Sequence, residues 1–327
     1  MSKKMIKGIV PLMILVALSV VSSGNSVAAE KYPSRPVEMI CGYPPGGAMD
    51  LTMRTWSKYL EKYLGVTIVP VNKPGAGAIV ACTYVANAKP DGYTLGCVGD
   101  HLVQQILSGR SEYKYEDFHY ICLVDAMANT MAVPFDSPWK TMQEFVDYAH
   151  KNPGTKCAHP GLGSAAHLRM ENINQIANLK LTAVAMNGDA EVIPALLGKH
   201  VPIGVTGGAA GKAQANAGKL RILMSFDPPA EFGLDPNLPD LQAVFGKNTP
   251  DVPVRQYLVV PAKTPEDIAL MLERAMEKVT KDPDFIKDMN KASMGVQFIA
   301  GPALMKANAE HNAKLEAIMK SLGLTKK

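Results

Sequence analysis

Residues 37–50 read Val37-Glu38-Met39-Ile40-Cys41-Gly42-Tyr43-Pro44-Pro45-Gly46-Gly47-Ala48-Met49-Asp50. The first five residues form a short, mainly apolar run ended by turn formers, which predicts a strand. Gly42 to Gly47 then make a loop. Beyond it Met53, Trp56, Leu60 and Leu64 recur at helical spacing, and Gly65 closes that helix at its C′ position. The order strand, glycine loop, helix is the unit on which the fold reading rests. A strand over 66–71, the turn-rich Asn72-Lys73-Pro74-Gly75-Ala76-Gly77, a small-residue helix over 78–88 and a strand over 93–98 continue it. Such alternation predicts an α/β fold with largely parallel sheets.

Further along, Thr141 and Glu144 form a capping box ahead of Met142, Phe145, Val146 and Ala149. A strand at 156–158 runs into His159-Pro160-Gly161-Leu162-Gly163-Ser164, and a helix follows through Leu168 and Ile176. Strands at 181–185 and 201–205 flank a short helix at 190–197. Thr264 is expected to cap a helix whose first residue is Pro265, and a last helix spans 302–322. Two strand–glycine loop–helix units therefore exist, at 43–50 and 159–167. We expect one in each lobe of a two-lobed chain, with residues 30–130 and 252–327 forming the first lobe and 131–251 the second.

The 327 residues suffice for two lobes, since single cores stop growing near roughly 250–300 residues. Lys3, Lys4 and Lys7, an apolar run over 9–21 and the small residues Val27-Ala28-Ala29 have the pattern of an export signal, with cleavage expected after Ala29 and a periplasmic destination. The apolar run is short for a membrane span of about 20 residues. Without the three signal lysines, the 34 basic residues fall to near balance with the 30 acidic ones, and no basic run of the nucleic-acid-binding kind is present. The five cysteines, Cys41, Cys82, Cys97, Cys122 and Cys157, are odd in number and show no CxxC spacing, which argues against a zinc or redox site. Export would permit a disulfide, but sequence cannot pair them.

A glycine turn that opens a helix presents unpaired backbone N–H groups at the positive end of the helix dipole. That is an anion site requiring no lysine or arginine. In an open parallel sheet such loops lie beyond the carboxyl ends of the strands, where ligands bind. Spacing alone leaves simple packing equally open. Gly46-Gly47-Ala48 is not a dinucleotide fingerprint and no Walker-type Gly-Lys-Ser/Thr follows, so nucleotide binding is not expected.

The chain resembles the substrate-binding receptors of tripartite tricarboxylate transporters, the Bug family. The resemblance is carried, in family order, by Tyr32-Pro33-Ser34-Arg35-Pro36-Val37, residues 43–50, residues 72–77, Lys89-Pro90-Asp91-Gly92-Tyr93-Thr94-Leu95, residues 161–168 and Ala217-Gly218-Lys219-Leu220-Arg221. It implies a two-lobed periplasmic binding-protein fold of type II-like form, with the ligand cleft between hinged lobes. It implies a small organic carboxylate as ligand (a di- or tricarboxylate or an aromatic acid) and integral membrane subunits of a secondary transporter as partners. No cofactor and no metal are expected. By position, Tyr43, Pro45, Gly46, Gly47, Ala48 and Asp50 would form one pincer, and Gly163, Ser164, Ala165 and His167 the other. The chain departs from the family at Ala165-Ala166, at Val184-Ala185-Met186-Asn187-Gly188 and at Thr206-Gly207-Gly208, where many members have an acidic residue. Met186, Thr206 and Gly207 are expected to line the cleft around the distal half of the ligand.

Individual residues have competing readings. Asp50 either caps its own helix or holds a bridging water on the ligand side, the reading the family match favours. His167 is expected to brace its loop and Ser164 to cap the helix. His101 ends a strand on the ligand side. Tyr43 stacks along the ligand or packs in the core, and Trp56 belongs to the core. Ser164, His167 and Asp50 do not assemble a hydrolase: no GxSxG elbow surrounds Ser164, and no third group orients His167. The expectation is a binding protein, not an enzyme, with a ligand-sensing co-receptor for a signalling kinase as the alternative and a secreted hydrolase ranked behind it.

Overall fold

A computed structural model gives the structure of residues 32–247 and 249–326. The expected export signal and its cleavage site lie outside the described residues. In chain order the elements are β1 (Val37–Cys41), α1 (Ala48–Leu64), β2 (Ile68–Asn72), α2 (Ile79–Ala86), β3 (Thr94–Gly99), α3 (His101–Leu107), β4 (Phe118–Met127), β5 (Asn129–Pro134), α4 (Met142–Lys151), β6 (Lys156–His159), α5 (Ala165–Ile176), β7 (Thr182–Ala185), α6 (Asp189–Leu197), β8 (Ile203–Gly207), α7 (Gly208–Asn216), β9 (Leu220–Ser225), α8 (Leu241–Phe245), β10 (Val254–Pro261), α9 (Glu266–Thr280), α10 (Pro283–Lys291), β11 (Met294–Ala300) and α11 (Gly301–Ser321).

The strands form two sheets, one per lobe: a six-stranded sheet in the order β11-β4-β10-β3-β1-β2 and a five-stranded sheet in the order β7-β6-β8-β5-β9. The chain leaves the first sheet at Ala128, between β4 and β5, and returns to it through residues 226–253. Both sheets are mixed, which corrects the expectation of largely parallel ones. β1 pairs in parallel with β2 and β3, but β10 is antiparallel to β3 and β4, and β11 to β4. In the second sheet β6 is parallel to β7 and β8, while β5 is antiparallel to β8 and β9. The physical reason is the two crossings: a strand that enters from the other lobe inserts against the run of the βαβ units.

Both faces of the first sheet are covered, which explains why β1 reads as a continuous apolar run. Met39 and Cys41 face one apolar cluster with Met53, Trp56 and Leu60 of α1, while Ile40 faces the other with Cys82 and Leu102. Trp56 is fully buried, as expected, and each large side chain so buried contributes about 1.5–3 kcal/mol. The second sheet lies between Phe145, Met170 and Ile173 on one face and Val192 and Leu196 on the other. Leu168 of α5 packs in the first lobe's cluster with Leu102 and Leu315, so this helix bridges the lobes.

Local signals behave largely as read. Gly65 ends α1 in the left-handed conformation at φ 73°. Thr141 and Glu144 close their capping box with reciprocal bonds of 3.2 Å. One expectation fails: the helix after Thr264 has Pro265 as its N-cap and begins at Glu266. The Thr264 hydroxyl instead donates to the Pro261 carbonyl at 2.8 Å, a local bond that competes with capping. All five cysteines are free and buried. Burial pushes the Cys41 thiol up to about 11 and those of Cys82 and Cys157 up to about 12.

Candidate functional site

β1, β2 and β3 end side by side, and the loop from Gly42 to Gly47 rises from the first of them. Gly42 is needed because the chain after β2 passes directly over it: a Cβ there would lie 2.3 Å from the Cβ of Ala78. Pro44 and Pro45 are exposed and have no N–H to donate. Gly47 is the N-cap of α1, in extended backbone and with no side-chain cap. The N–H groups of Gly47, Ala48 and Met49 therefore make no hydrogen bond among the described residues.

Asp50 is buried and directed at its own loop. One oxygen accepts from the Gly46 N–H at 2.9 Å and from Arg54 Nε at 3.0 Å; the other accepts from Asn72 Nδ2 at 2.8 Å. Asn72 also donates to the Tyr43 carbonyl at 2.9 Å. Burial pushes the Asp50 pKa up, but the bonds from Arg54, Gly46 and Asn72 outweigh it and hold the carboxyl below its ordinary value. Three donors account for this carboxylate, so its geometry is that of a brace rather than of a group turned to the ligand side. Tyr43 packs edge-on against His101, ring centres 5.3 Å apart. His101, the first residue of α3, is buried, and burial lowers its pKa to about 4.

The second glycine loop is built differently. Ser164 is the N-cap of α5, its hydroxyl accepting from the His167 N–H at 3.2 Å, as expected. His167 Nδ1 accepts from the Gly163 N–H at 3.1 Å, so this ring braces the loop and carries its proton on Nε2. Beneath it lies His159, fully buried, its ring stacked on that of His167 at 4.3 Å. His159 Nδ1 donates to the Gly161 carbonyl at 3.0 Å. The N–H groups of Ala165 and Ala166 make no hydrogen bond among the described residues. This second helix N-terminus matches the first in kind.

Burial lowers the pKa of both rings, that of His159 to about 4. A histidine whose folded pKa lies below its unfolded value near 6.5 stabilises the fold above that value and ceases to do so as pH falls through the folded pKa. Unfolding by urea should therefore become easier between about pH 6.5 and pH 4. The Asp282 and Asp288 carboxyls, held at about 2 by Lys62 and Tyr59 respectively, weaken only at lower pH. His101 shares this window and the raised carboxyls of Asp189 and Asp251 act in the opposite direction, so the check is His159→Phe against wild type: an identical pH dependence of the two urea midpoints would contradict the neutral histidine stack.

The rest of the second lobe's rim departs in part from expectation. Thr206 does not line the cleft: it is fully buried, and its hydroxyl shares a 2.8 Å hydrogen bond with that of Thr130 beneath α7. Strand alternation turns it inward, a direction not evident from its place at a strand end. Met186 is half-buried against the apolar cluster of α6, and its N–H donates to the His159 carbonyl at 3.0 Å. Gly207 is the N-cap of α7, with its N–H directed at Asp189.

Two charged residues missed in the sequence reading stand here. Arg110, exposed at the end of α3, reaches the second loop: a Cβ on Gly163 would lie 2.8 Å from its Nη2. Arg169, on α5, is buried and joins every crossing segment. It donates to both oxygens of Asp227 at 2.8 and 2.7 Å, to both of Asp251 at 3.1 and 2.8 Å, to the Val252 carbonyl at 3.1 Å and to Asn129 Oδ1 at 3.4 Å. Arg169 gives no periodic or motif signal, because its partners lie 40 to 83 positions away.

A separate groove of about 1030 Å³ lies on the first lobe, lined by Arg35, Glu38, Val69, Lys73, Tyr84 and Lys89 among others. It lies toward the amino ends of β1 and β3. Part of its charge is engaged within the groove: Arg35 pairs with Asp91, Tyr84 bonds Glu38 and Lys73 lies over the Tyr84 ring. The two helix N-termini, with donors left over, are the better ligand candidates.

Two α/β lobes joined by crossing segments, with a bare helix N-terminus on each, have the architecture of a two-lobed binding protein. The family model for the tripartite tricarboxylate transporter family receptor matches residues 52–324, and the chain belongs to that family. A relative described as a UPF0065 protein in the gbd 5′ region of Cupriavidus necator is 30% identical over 95% of this chain and 94% of its own length. The periplasmic binding protein BugD is 25% identical, covering 90% of this chain and 100% of its own, with a TM-score of 0.77. Two structures from Rhodopseudomonas palustris share the fold at lower identity. One, with adipate, is 20% identical over 90% of this chain and 99% of its own at TM-score 0.80; the other, MatC with bound malate, is 22% identical over 88% and 99% at 0.76. The family and these neighbours are binding proteins rather than enzymes.

Proposed function

We propose that the loops at Gly46–Ala48 and Gly163–Ala165 close on a small organic carboxylate and that the protein delivers it to integral membrane subunits of a secondary transporter. The observation that carries this reading is the unpaired N–H groups at the starts of α1 and α5, with no bare carboxylate beside the first of them because Asp50 is fully engaged. Adipate and malate in two proteins of the same fold support the ligand class. In this reading Gly46, Gly47, Ala48, Ser164 and Ala165 approach the ligand, Asp50 and His167 keep the loops in shape, and Arg110 offers a cation at the rim. The two lobes hinge at Ala128 and within residues 226–253. The protein acts as a periplasmic monomer after cleavage following Ala29.

A thermal-shift screen over di- and tricarboxylates and aromatic acids tests this. A ligand at a hundred times its Kd adds about 2.7 kcal/mol of stability, which should raise the melting temperature by roughly 5–10 °C at about 2–4 °C per kcal/mol. Silence across the acids with a response to an uncharged solute would remove the carboxylate assignment.

A further inference from the structure

Asp189 is the first residue of α6, yet its carboxylate turns away from that helix. Its oxygens lie 3.0 and 3.3 Å from the N–H of Gly207, at the start of α7. The approach is close: a Cβ on Gly207 would lie 2.7 Å from Oδ2. One N–H satisfies one of roughly four acceptor positions on a carboxylate. Among the described residues, Asp189 has no basic side chain within ion-pair distance. Asp50, in the other lobe, has three donors, one of them a guanidinium, and is thereby accounted for. Asp189 is not.

Strand register places it at the same end of the second sheet as the second glycine loop. β6 and β7 pair in register His159↔Ala185, and the Met186 N–H continues that pairing onto the His159 carbonyl. β8 flanks β6 on the other side. Asp189 therefore stands where three parallel strands end together, at the same end of the sheet as the start of α5. Burial raises its pKa, and the bond from Gly207 opposes this without cancelling it, so the environment favours a further proton or donor. An unpaired carboxylate near a carboxylate guest repels it unless a donor stands between them.

We propose that Asp189 selects, among carboxylates, those that also carry a hydrogen-bond donor, a hydroxyl or an ammonium, which it accepts from. The proposal rests on the carboxylate reading above and names the ligand class within it. Asp189 would be a specificity-determining residue.

The test compares matched acids by calorimetry: the best acid of the thermal screen in its unsubstituted, hydroxy and amino forms, which for four carbons are succinate, malate and aspartate. The wild-type protein should bind the hydroxy or amino form at least tenfold more tightly than the unsubstituted one. Asp189→Asn, which keeps an acceptor for Gly207, should melt near the wild-type temperature and reduce that preference to within about threefold. Equal binding of the three forms by the wild type, or an undiminished preference in Asp189→Asn, overturns the proposal and leaves the carboxylate reading in place. Failure of every acid to bind removes both.

Discussion

Arg169→Ala should lower the melting temperature by roughly 6–20 °C, the largest stability loss we expect from one polar substitution. The guanidinium is 2% exposed and holds two carboxylates, Asp227 and Asp251, from three sides. Removing one partner of a buried ion pair costs about 3–5 kcal/mol, because the charges left behind have neither water nor a counter-ion. At about 2–4 °C per kcal/mol that gives the stated range. Burial already raises the Asp251 pKa against the pull of Arg169, and loss of the arginine would raise it further. A carboxyl with a raised folded pKa binds its proton more readily folded than unfolded, so the deficit should shrink as the pH is lowered toward the unfolded value near 3.9. Calorimetric scans at pH 7.5 and pH 5 measure both effects. A melting temperature within 2 °C of wild type at pH 7.5 would mean that the crossing segments do not depend on this residue.

Gly47→Val should remove ligand binding and leave the fold nearly untouched. The backbone at Gly47 is extended, at φ −80°, which valine adopts readily, and a Cβ there meets nothing closer than the Pro44 carbonyl at 3.6 Å. A valine N-cap is poorer than glycine by about 1 kcal/mol or less. The branched side chain would, however, stand over the N–H groups of Gly47 and Ala48. Two charge-assisted hydrogen bonds are worth about 3–6 kcal/mol together, so affinity should fall by about a hundredfold or more. Melting temperature without ligand and affinity by calorimetry separate the two outcomes. Unchanged affinity would place the ligand elsewhere.

The parts of the molecule legible in sequence are those whose signals are local. β1 with α1 and β6 with α5 are readable because strand, glycine turn and periodic helix follow one another without interruption, over residues 37–64 and 156–176. Ser164 and Thr141 act through bonds to residues three positions on. The antiparallel strands β4, β5, β9, β10 and β11 are not readable: their apolar runs lack a period, and their antiparallel partners lie far from them in the chain. The site divides in the same way. The glycine loops stood out, while Arg110, Asp189 and the engagement of Asp50 by Asn72 depend on approaches that only the tertiary fold creates. Thr206 had the right place in sequence and the wrong side of its strand.

α5 bears the unpaired amides of Ala165 and Ala166 in its first turn and Arg169 four residues beyond Ala165, a rise of about 6 Å along one stiff cylinder. Sensing and anchoring are thus machined into the same rod. In the proposed reading, the element that would meet the guest is also the one whose guanidinium ties the crossing segments together, so capture at the tip and the posture of the lobes would share a single lever.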